Sequence, residues 1–249
     1  MKMIAIYNNK GGVAKTTTTI NVAYILAEVM KKRVLVMDCD GQQNTSRFFA
    51  DTLPNTGLEQ ALIRSDVSPM AALQHTRYEN IDVLISSEAM NTCTEEFCKL
   101  TAAVQEYNLT RLCSIFEGQY DYVLLDMPPA LNRMTEALLS VTDGVVVPVE
   151  LGTFSAQGIA KVTDVINKVG TSFLGCVVTK FDKDNKLDAE LKTLLDSILG
   201  NKVFHAVIPY SKTIRNSTNY RLTAYEYMHW LPPVKRYMEL TEEIVRKVG

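Results

Sequence analysis

The chain has 249 residues, 47% of them hydrophobic and 22% charged, which is enough apolar material for a large core within one domain. A formal net charge of -2 excludes a global attraction to nucleic acid or anionic lipid, so any such binding has to come from a local patch. The five cysteines, Cys39, Cys93, Cys98, Cys113 and Cys176, form no paired CxxC, which argues against a zinc or iron–sulfur centre and suits core thiols in a reducing compartment.

Met1 leads directly into the apolar run Met3–Tyr7 and then Asn8 and Lys10, leaving no room for a signal-peptide hydrophobic region, and export is not expected. Met3–Tyr7 predicts a buried strand. Immediately after it come Lys10-Gly11-Gly12-Val13-Ala14-Lys15-Thr16-Thr17-Thr18, followed by a helical pattern from Ile20 to Val29. Glycines let backbone N–H groups curl around a phosphate and deliver it to a helix N-terminus, where unpaired donors and the dipole favour negative charge. Gly11, Gly12, Val13, Ala14, Lys15, Thr16 and Thr17 are therefore the expected phosphate cradle. Lys15 would hold the β and γ oxygens, Thr16 would offer its hydroxyl to Mg²⁺, and Thr17 would reach the α-phosphate region.

The loop departs from GxxxxGK[ST]: Asn9 stands in place of the first glycine, Ala14 in place of the glycine before Lys15, and Lys10 is an added lysine. KGGxGK[ST] is the deviant Walker A motif of the ParA/MinD family of P-loop NTPases, and this loop resembles it at every defined position except Ala14. In that family the first lysine, matched by Lys10, reaches phosphates held by a partner subunit. The resemblance thus implies ATP and Mg²⁺ as cofactors, an ATP-dependent homodimer, and catalytic duties for Lys10 and Lys15.

The next apolar run, Val34–Met37, ends in Asp38-Cys39-Asp40-Gly41-Gln42-Gln43-Asn44, which puts two acids at a strand's carboxyl end, where open α/β sheets bind ligands. Alternation places Asp38 and Asp40 on one side of an extended segment. Loop acids capping a helix at Asn44 are the other reading. The segment is similar to the family's DxDPQxN motif, with Gly41 in place of proline. By that resemblance Asp40 orients the attacking water and Asp38 supports Mg²⁺ through its water shell.

Ile81–Ile85 predicts another strand, and Thr92 with Glu95 predicts a capping box opening a helix whose stripe is Phe97, Leu100, Val104 and Tyr107. Tyr122–Leu125 runs into Asp126-Met127-Pro128-Pro129, the form of a Walker B strand, and makes Asp126 a second metal-side carboxylate. Val145–Val149 follows. Pro148-Val149-Glu150 with Phe154 and Gly158 resembles the family's P-[IV]-Q…F-x-x-x-G stretch, with Glu150 in place of glutamine. Cys176–Val178 and Val203–Ile208 close the set of expected strands, and Val178-Thr179-Lys180 and Ile208-Pro209 match family positions that contact the nucleotide base. These runs are apolar at nearly every position, which predicts a doubly wound α/β fold: a mostly parallel sheet with helices on both faces, in one domain over 1–249.

Between Leu199 and Tyr225 there is no acidic residue, while Lys202, Lys212, Arg215 and Arg221 make a local basic surface an expectation. Family resemblance implies non-specific DNA binding there once ATP joins two subunits, a ParB-like DNA-bound adaptor that stimulates turnover, and a cytoplasmic protein that is nucleoid-associated when ATP-bound. With the phosphate loop starting at Lys10, operator binding through a preceding helix-turn-helix is not expected. Val234, Tyr237, Thr241, Ile244 and Val248 form a stripe on the last helix, but Glu239, Glu242 and Glu243 cancel its attraction to lipid, so packing against the domain is expected and no membrane partner. The alternative class is a MinD-like or other nucleotide-switch scaffold that does not act on DNA.

Overall fold

Seven strands form one sheet in the computed structural model, which describes residues 1–53, 55–152 and 155–249, without the side chains of 155–157. Phe154 of the stretch noted above lies outside the described residues. The strands are β1 (Lys2–Ile6), β2 (Val34–Asp38), β3 (Leu73–His75), β4 (Ile81–Leu84), β5 (Tyr122–Asp126), β6 (Gly144–Glu150) and β7 (Ser172–Thr179). Their spatial order is β3-β4-β2-β5-β1-β6-β7, and only the β3–β4 pair is antiparallel. Every residue of β2 is buried, as is every residue of β1 and β5 after the first, which is why these strands read as continuous apolar runs.

The helices are α1 (Lys15–Tyr24), α2 (Asn44–Phe49), α3 (Leu58–Ile63), α4 (Met90–Lys99), α5 (Ala102–Ser114), α6 (Arg133–Ser140), α7 (Ser155–Val169), α8 (Lys186–Leu199), α9 (Lys212–Asn219), α10 (Ala224–Met228) and α11 (Pro232–Val248). α1 packs on β1, β2 and β5 and against α11, which in turn lies on β7; α7 lies on β6 and β7 and packs against α6. One hydrophobic core extends from Met3 to Ile244. Val234, Tyr237, Thr241 and Ile244 are buried within it, so the apolar stripe of α11 is spent on the sheet and α1. Among the described residues no helix is long and apolar enough to cross a membrane.

Two expectations need correction. Val203–Ile208 runs beside β7 without forming a continuous ladder: Val203 makes an isolated bridge to Cys176, the Phe204 and Ile208 N–H groups donate to the Cys176 and Val178 carbonyls at 2.9 and 2.8 Å, and a second bridge, Phe181 to Pro209, lies just beyond both segments. Its middle is drawn away because the His205 and Ala206 N–H groups donate to the buried Glu243 carboxylate of α11 at 2.9 and 2.8 Å. The capping box at Thr92 does not form either: α4 begins two residues earlier, and the Thr92 hydroxyl donates to the Ala89 carbonyl at 3.1 Å. The stripe is split at Leu100, because Thr101 caps a new helix, α5, and Tyr107 is left exposed.

Candidate active site

The carboxyl ends of three strands converge because the central pairs are in register: Ile6 lies opposite Asp126, and Asp126 opposite Asp38. The chain leaves β1 at this point, turns through the glycine loop and enters α1 at Lys15. Over the turn is a cavity of about 540 Å³, walled by Gly11, Gly12, Ala14, Lys15, Thr16 and Thr17, with Asp40 and Pro129 on one side and Thr179, Lys180, Ile208 and Pro209 on the other. Strand ends and helix N-terminus thus meet where such sheets receive phosphates.

Neighbouring strands hold the loop in place. The Asn8 side chain donates to the Pro148 carbonyl at 2.7 Å and accepts the Lys10 N–H at 3.0 Å. The Thr179 hydroxyl donates to the Val13 carbonyl at 3.1 Å, so Val13 is buried as an anchor and does not line the cavity. Lys10 is exposed and likewise does not line the cavity of its own chain. The Lys15 ammonium, nearly buried, donates to the Lys10 carbonyl at 3.0 Å. Burial holds its pKa below the ordinary lysine value, opposed by the charges of Asp126 and Asp40.

Gly12 has φ 77° and Ala14 φ 67°, both in the left-handed region. Glycine occupies it freely, whereas a Cβ there costs about 1–2 kcal/mol. Ala14→Gly should therefore raise the thermal midpoint by about 2 °C, the relief of strain being partly offset by a freer unfolded chain, and tighten nucleotide binding a few-fold. A lower midpoint in thermal unfolding, or weaker binding, would contradict this account of the loop.

Asp126 is buried behind Thr16. Its Oδ2 accepts the hydroxyls of Thr16 at 2.8 Å and Thr45 at 2.6 Å, and its Oδ1 that of Thr19 at 3.4 Å. Asp38, expected to support Mg²⁺ through its water shell, makes three hydrogen bonds within the chain. Its Oδ1 accepts the Asp40 N–H at 3.1 Å, and its Oδ2 accepts the N–H and hydroxyl of Ser46, both at 2.7 Å. Asp38 therefore braces the loop between β2 and α2, while Asp126 and Thr45 are buried behind Thr16, the member of this group that lines the cavity.

Burial pushes the Asp38 carboxyl up to about 7, with the Asp126 charge adding to the effect. Burial likewise pushes Asp126 up to about 6; hydrogen bonds from Thr45 and Thr16 oppose it. Neither acid makes an ion pair among the described residues. One buried carboxylate, Asp126, hydrogen-bonded to the Thr16 hydroxyl is a donor set that would suit Mg²⁺, which needs only one or two carboxylates and keeps several waters.

These shifts have a measurable consequence. The folded chain holds protons that the unfolded chain, titrating near 3.8, has already released, so the stability they contribute is complete below that value and is lost as pH rises through about 6 to 7. The thermal midpoint of nucleotide-free protein should fall between about pH 5 and about pH 8, and Asp126→Asn, neutral throughout, should flatten the fall. A wild-type midpoint that rises across this range would refute it.

Asp40 lines the cavity on a backbone fixed from both sides: Asp38 takes its N–H, and the Ser86 hydroxyl donates to its carbonyl at 2.8 Å. Its carboxylate accepts the Gln42 N–H at 3.0 Å. A Cβ at Gly41 would stand 2.4–2.6 Å from the tip of the exposed Asn91 side chain of α4, which would have to turn aside. On the β5 side, the buried Tyr7 hydroxyl donates to the Ala130 carbonyl at 3.0 Å and pins the Pro128-Pro129 turn to β1. Glu150, which replaces the family's glutamine, forms an exposed ion pair with Lys180 at 3.0 Å beside the cavity.

Sequence reading missed Thr45, Ser46, Ser86 and Tyr7. Thr45 and Ser46 sit in the helix that opens after the acidic loop, and Ser86 follows directly on an expected strand, so their positions next to motif residues were the available signal. The four basic positions expected to form one surface are not brought together. The Lys202 ammonium donates to the Phe173 carbonyl at 2.7 Å, near the start of β7 and about 20 Å of strand from the cavity end. The Arg221 guanidinium is engaged by the Phe48 and Ala50 carbonyls and Asp51 at 2.8–3.3 Å. Lys212 remains exposed on α9 away from the cavity, whereas Arg215, also exposed, lines the cavity together with Ile214, Thr218 and Asn219.

A family model described as an AAA domain matches residues 1–175. The chromosome-partitioning ATPase Soj of Thermus thermophilus is 30% identical over 254 residues, covering 100% of this chain and 97% of that protein. The chromosome partitioning protein ParA of Caulobacter vibrioides is 28% identical over 257 residues, covering 99% and 95%. Of solved structures, cobyrinic acid a,c-diamide synthase from Mycobacterium smegmatis with bound ADP and magnesium aligns at a TM-score of 0.82 with 25% identity, covering 99% of this chain and 94% of that one.

Proposed function

Because the chain belongs to the ParA/MinD family of P-loop ATPases and uses ATP with Mg²⁺, we propose that it is a partition ATPase: ATP joins two copies, the dimer holds DNA without sequence preference, and a DNA-bound ParB-like adaptor stimulates hydrolysis. The observation that carries this reading is the position of Lys10, exposed at the rim and outside its own cavity, beside a mononucleotide site otherwise supplied from one chain. A lysine so placed serves a nucleotide held by a second copy. Within one chain, Lys15 and the loop N–H groups hold phosphate oxygens, Thr16 and Asp126 hold the cation side, and Asp40 orients water. Lys212 supplies charge for DNA on the α9 surface, and Arg215 stands between that surface and the cavity it lines.

Burial of the α11 stripe against α1 and β7 favours this output over a MinD-like one at a membrane. The test is binding of a labelled duplex of random sequence with and without Mg·ATP. Retention should require ATP and, for roughly eight phosphate contacts per dimer, log affinity should fall against log salt with a slope of about -7. Lys10→Ala should still bind ATP but sediment as a monomer and lose the duplex. ATP-independent or salt-insensitive retention would remove the reading.

A further inference from the structure

The acid-free stretch that ends at Tyr225 folds into a surface with more aromatic character than a duplex backbone requires. Tyr220 and Trp230 are 67% and 61% exposed. Neither ring stands alone. Tyr220 stacks on Tyr227 with centroids 5.9 Å apart and planes at 14°. Tyr225 stacks on His229 at 5.4 Å, and Trp230 stands edge-on to His229 at 5.1 Å. Residues 225 and 227 are about 200° apart on a helix, so the two stacks flank the five-residue α10 on different sides.

The rings are held in advance of any ligand. Tyr225 backs onto Tyr24 of α1 at 5.6 Å, and the Ala224 N–H donates to Asn21 of α1 at 2.9 Å. Thr223 and Glu226 close a capping box at the start of α10. That carboxylate also accepts the Tyr78 hydroxyl at 2.7 Å and lies 3.8 Å from Arg77, so its charge is engaged inward. On the helices that pack against α10, Lys212 at the start of α9 and Lys235 in the first turn of α11 are exposed and make no ion pair among the described residues.

Paired bases in a duplex are stacked and present no open face, so exposed rings gain nothing from them. Unpaired bases do present one, and each stacks on an aromatic side chain whatever its sequence. The geometry points to a binding surface for single-stranded nucleic acid on α9, α10 and the start of α11. Bases stack on the Tyr220–Tyr227 and His229–Trp230 groups, and Lys212 and Lys235 meet the phosphates. This rests on the nucleic-acid reading of α9 above and adds to the duplex a second ligand, a strand with unpaired bases.

The test compares three labelled probes on the full chain with Mg·ATP: oligothymidylate of about 20 nucleotides, an abasic strand of the same length, and the duplex. Oligothymidylate should bind at least about tenfold tighter than the abasic strand and quench the fluorescence of Trp230, the only tryptophan. Trp230→Ala and Tyr220→Ala should each cost about tenfold for oligothymidylate and leave duplex affinity and basal ATP turnover within about twofold. Trp230→Phe, which keeps a ring, should recover most of the loss. Equal affinity for the thymidylate and abasic strands, or indifference to both alanine substitutions, overturns the inference. If the duplex still binds in that case, the partition reading stands; if no probe binds, both fall.

Discussion

Lys15→Ala should weaken Mg·ATP binding by about two to four orders of magnitude while leaving a folded protein. Hydrogen bonds to charged groups contribute roughly 1.5–3 kcal/mol each, and this ammonium is placed for two phosphate oxygens. In the nucleotide-free chain its one hydrogen bond is to the Lys10 carbonyl, a group of the same loop, so the fold does not depend on it. Burial already disfavours its charge, and its loss removes a desolvation cost together with its attraction to Asp126 and Asp40. The apparent midpoint should therefore stay near that of wild type without ligand, and the large upward shift that saturating Mg·ATP gives wild type should disappear. Calorimetric titration reads the affinity directly. A dissociation constant within tenfold of wild type would mean that the β1–α1 turn is not the phosphate site, and the assignments of Thr16 and Asp126 would go with it.

The parts of this site that were legible beforehand are those in which one local segment does the whole job. The run from Lys10 to Thr18 carries its own turn, donors and helix start, and Tyr122–Asp126 carries both a buried strand and the acid at its end. Duties assigned by long-range hydrogen bonds were not legible. Asp38 looks like a metal-side acid by position, yet Ser46, eight residues on, occupies one of its oxygens. Asp40 depends on Ser86, which reaches it only because β4 lies beside β2. The same holds for the fold. Val203–Ile208 has the apolar character of a strand, and only the buried Glu243 from the last helix explains why it does not complete a ladder. Arg221 and Lys202 read as surface cations until Phe48, Ala50 and Phe173 are seen to offer carbonyls to them. Charge along a sequence does not reveal which cations the fold has already used.

Asp40→Ala should lower ATP turnover by about 10²- to 10⁴-fold, the range for loss of a positioned proton acceptor, with ATP affinity unchanged or tighter. Tighter binding is reasonable because the substitution removes a carboxylate that faces the phosphate end of the cavity. The fold should tolerate it: Asp38 and Ser86 hold the Asp40 backbone N–H and carbonyl, and the side chain contributes one bond, from the Gln42 N–H. Asp38→Ala supplies the contrast. It would leave the Asp40 and Ser46 N–H groups and the Ser46 hydroxyl without their acceptor in a buried site, at about 1–3 kcal/mol for each donor left unpaired, and should lower the thermal midpoint sharply. The two acids, two residues apart, are thus expected to fail in opposite ways, one in chemistry with stability kept and the other in stability. If two copies close on ATP as proposed, the Asp40 variant should also accumulate as an ATP-bound dimer on DNA, since assembly precedes the step it blocks. Single-turnover hydrolysis at the wild-type rate would show that Asp40 does not act on the water, whatever the dimer does.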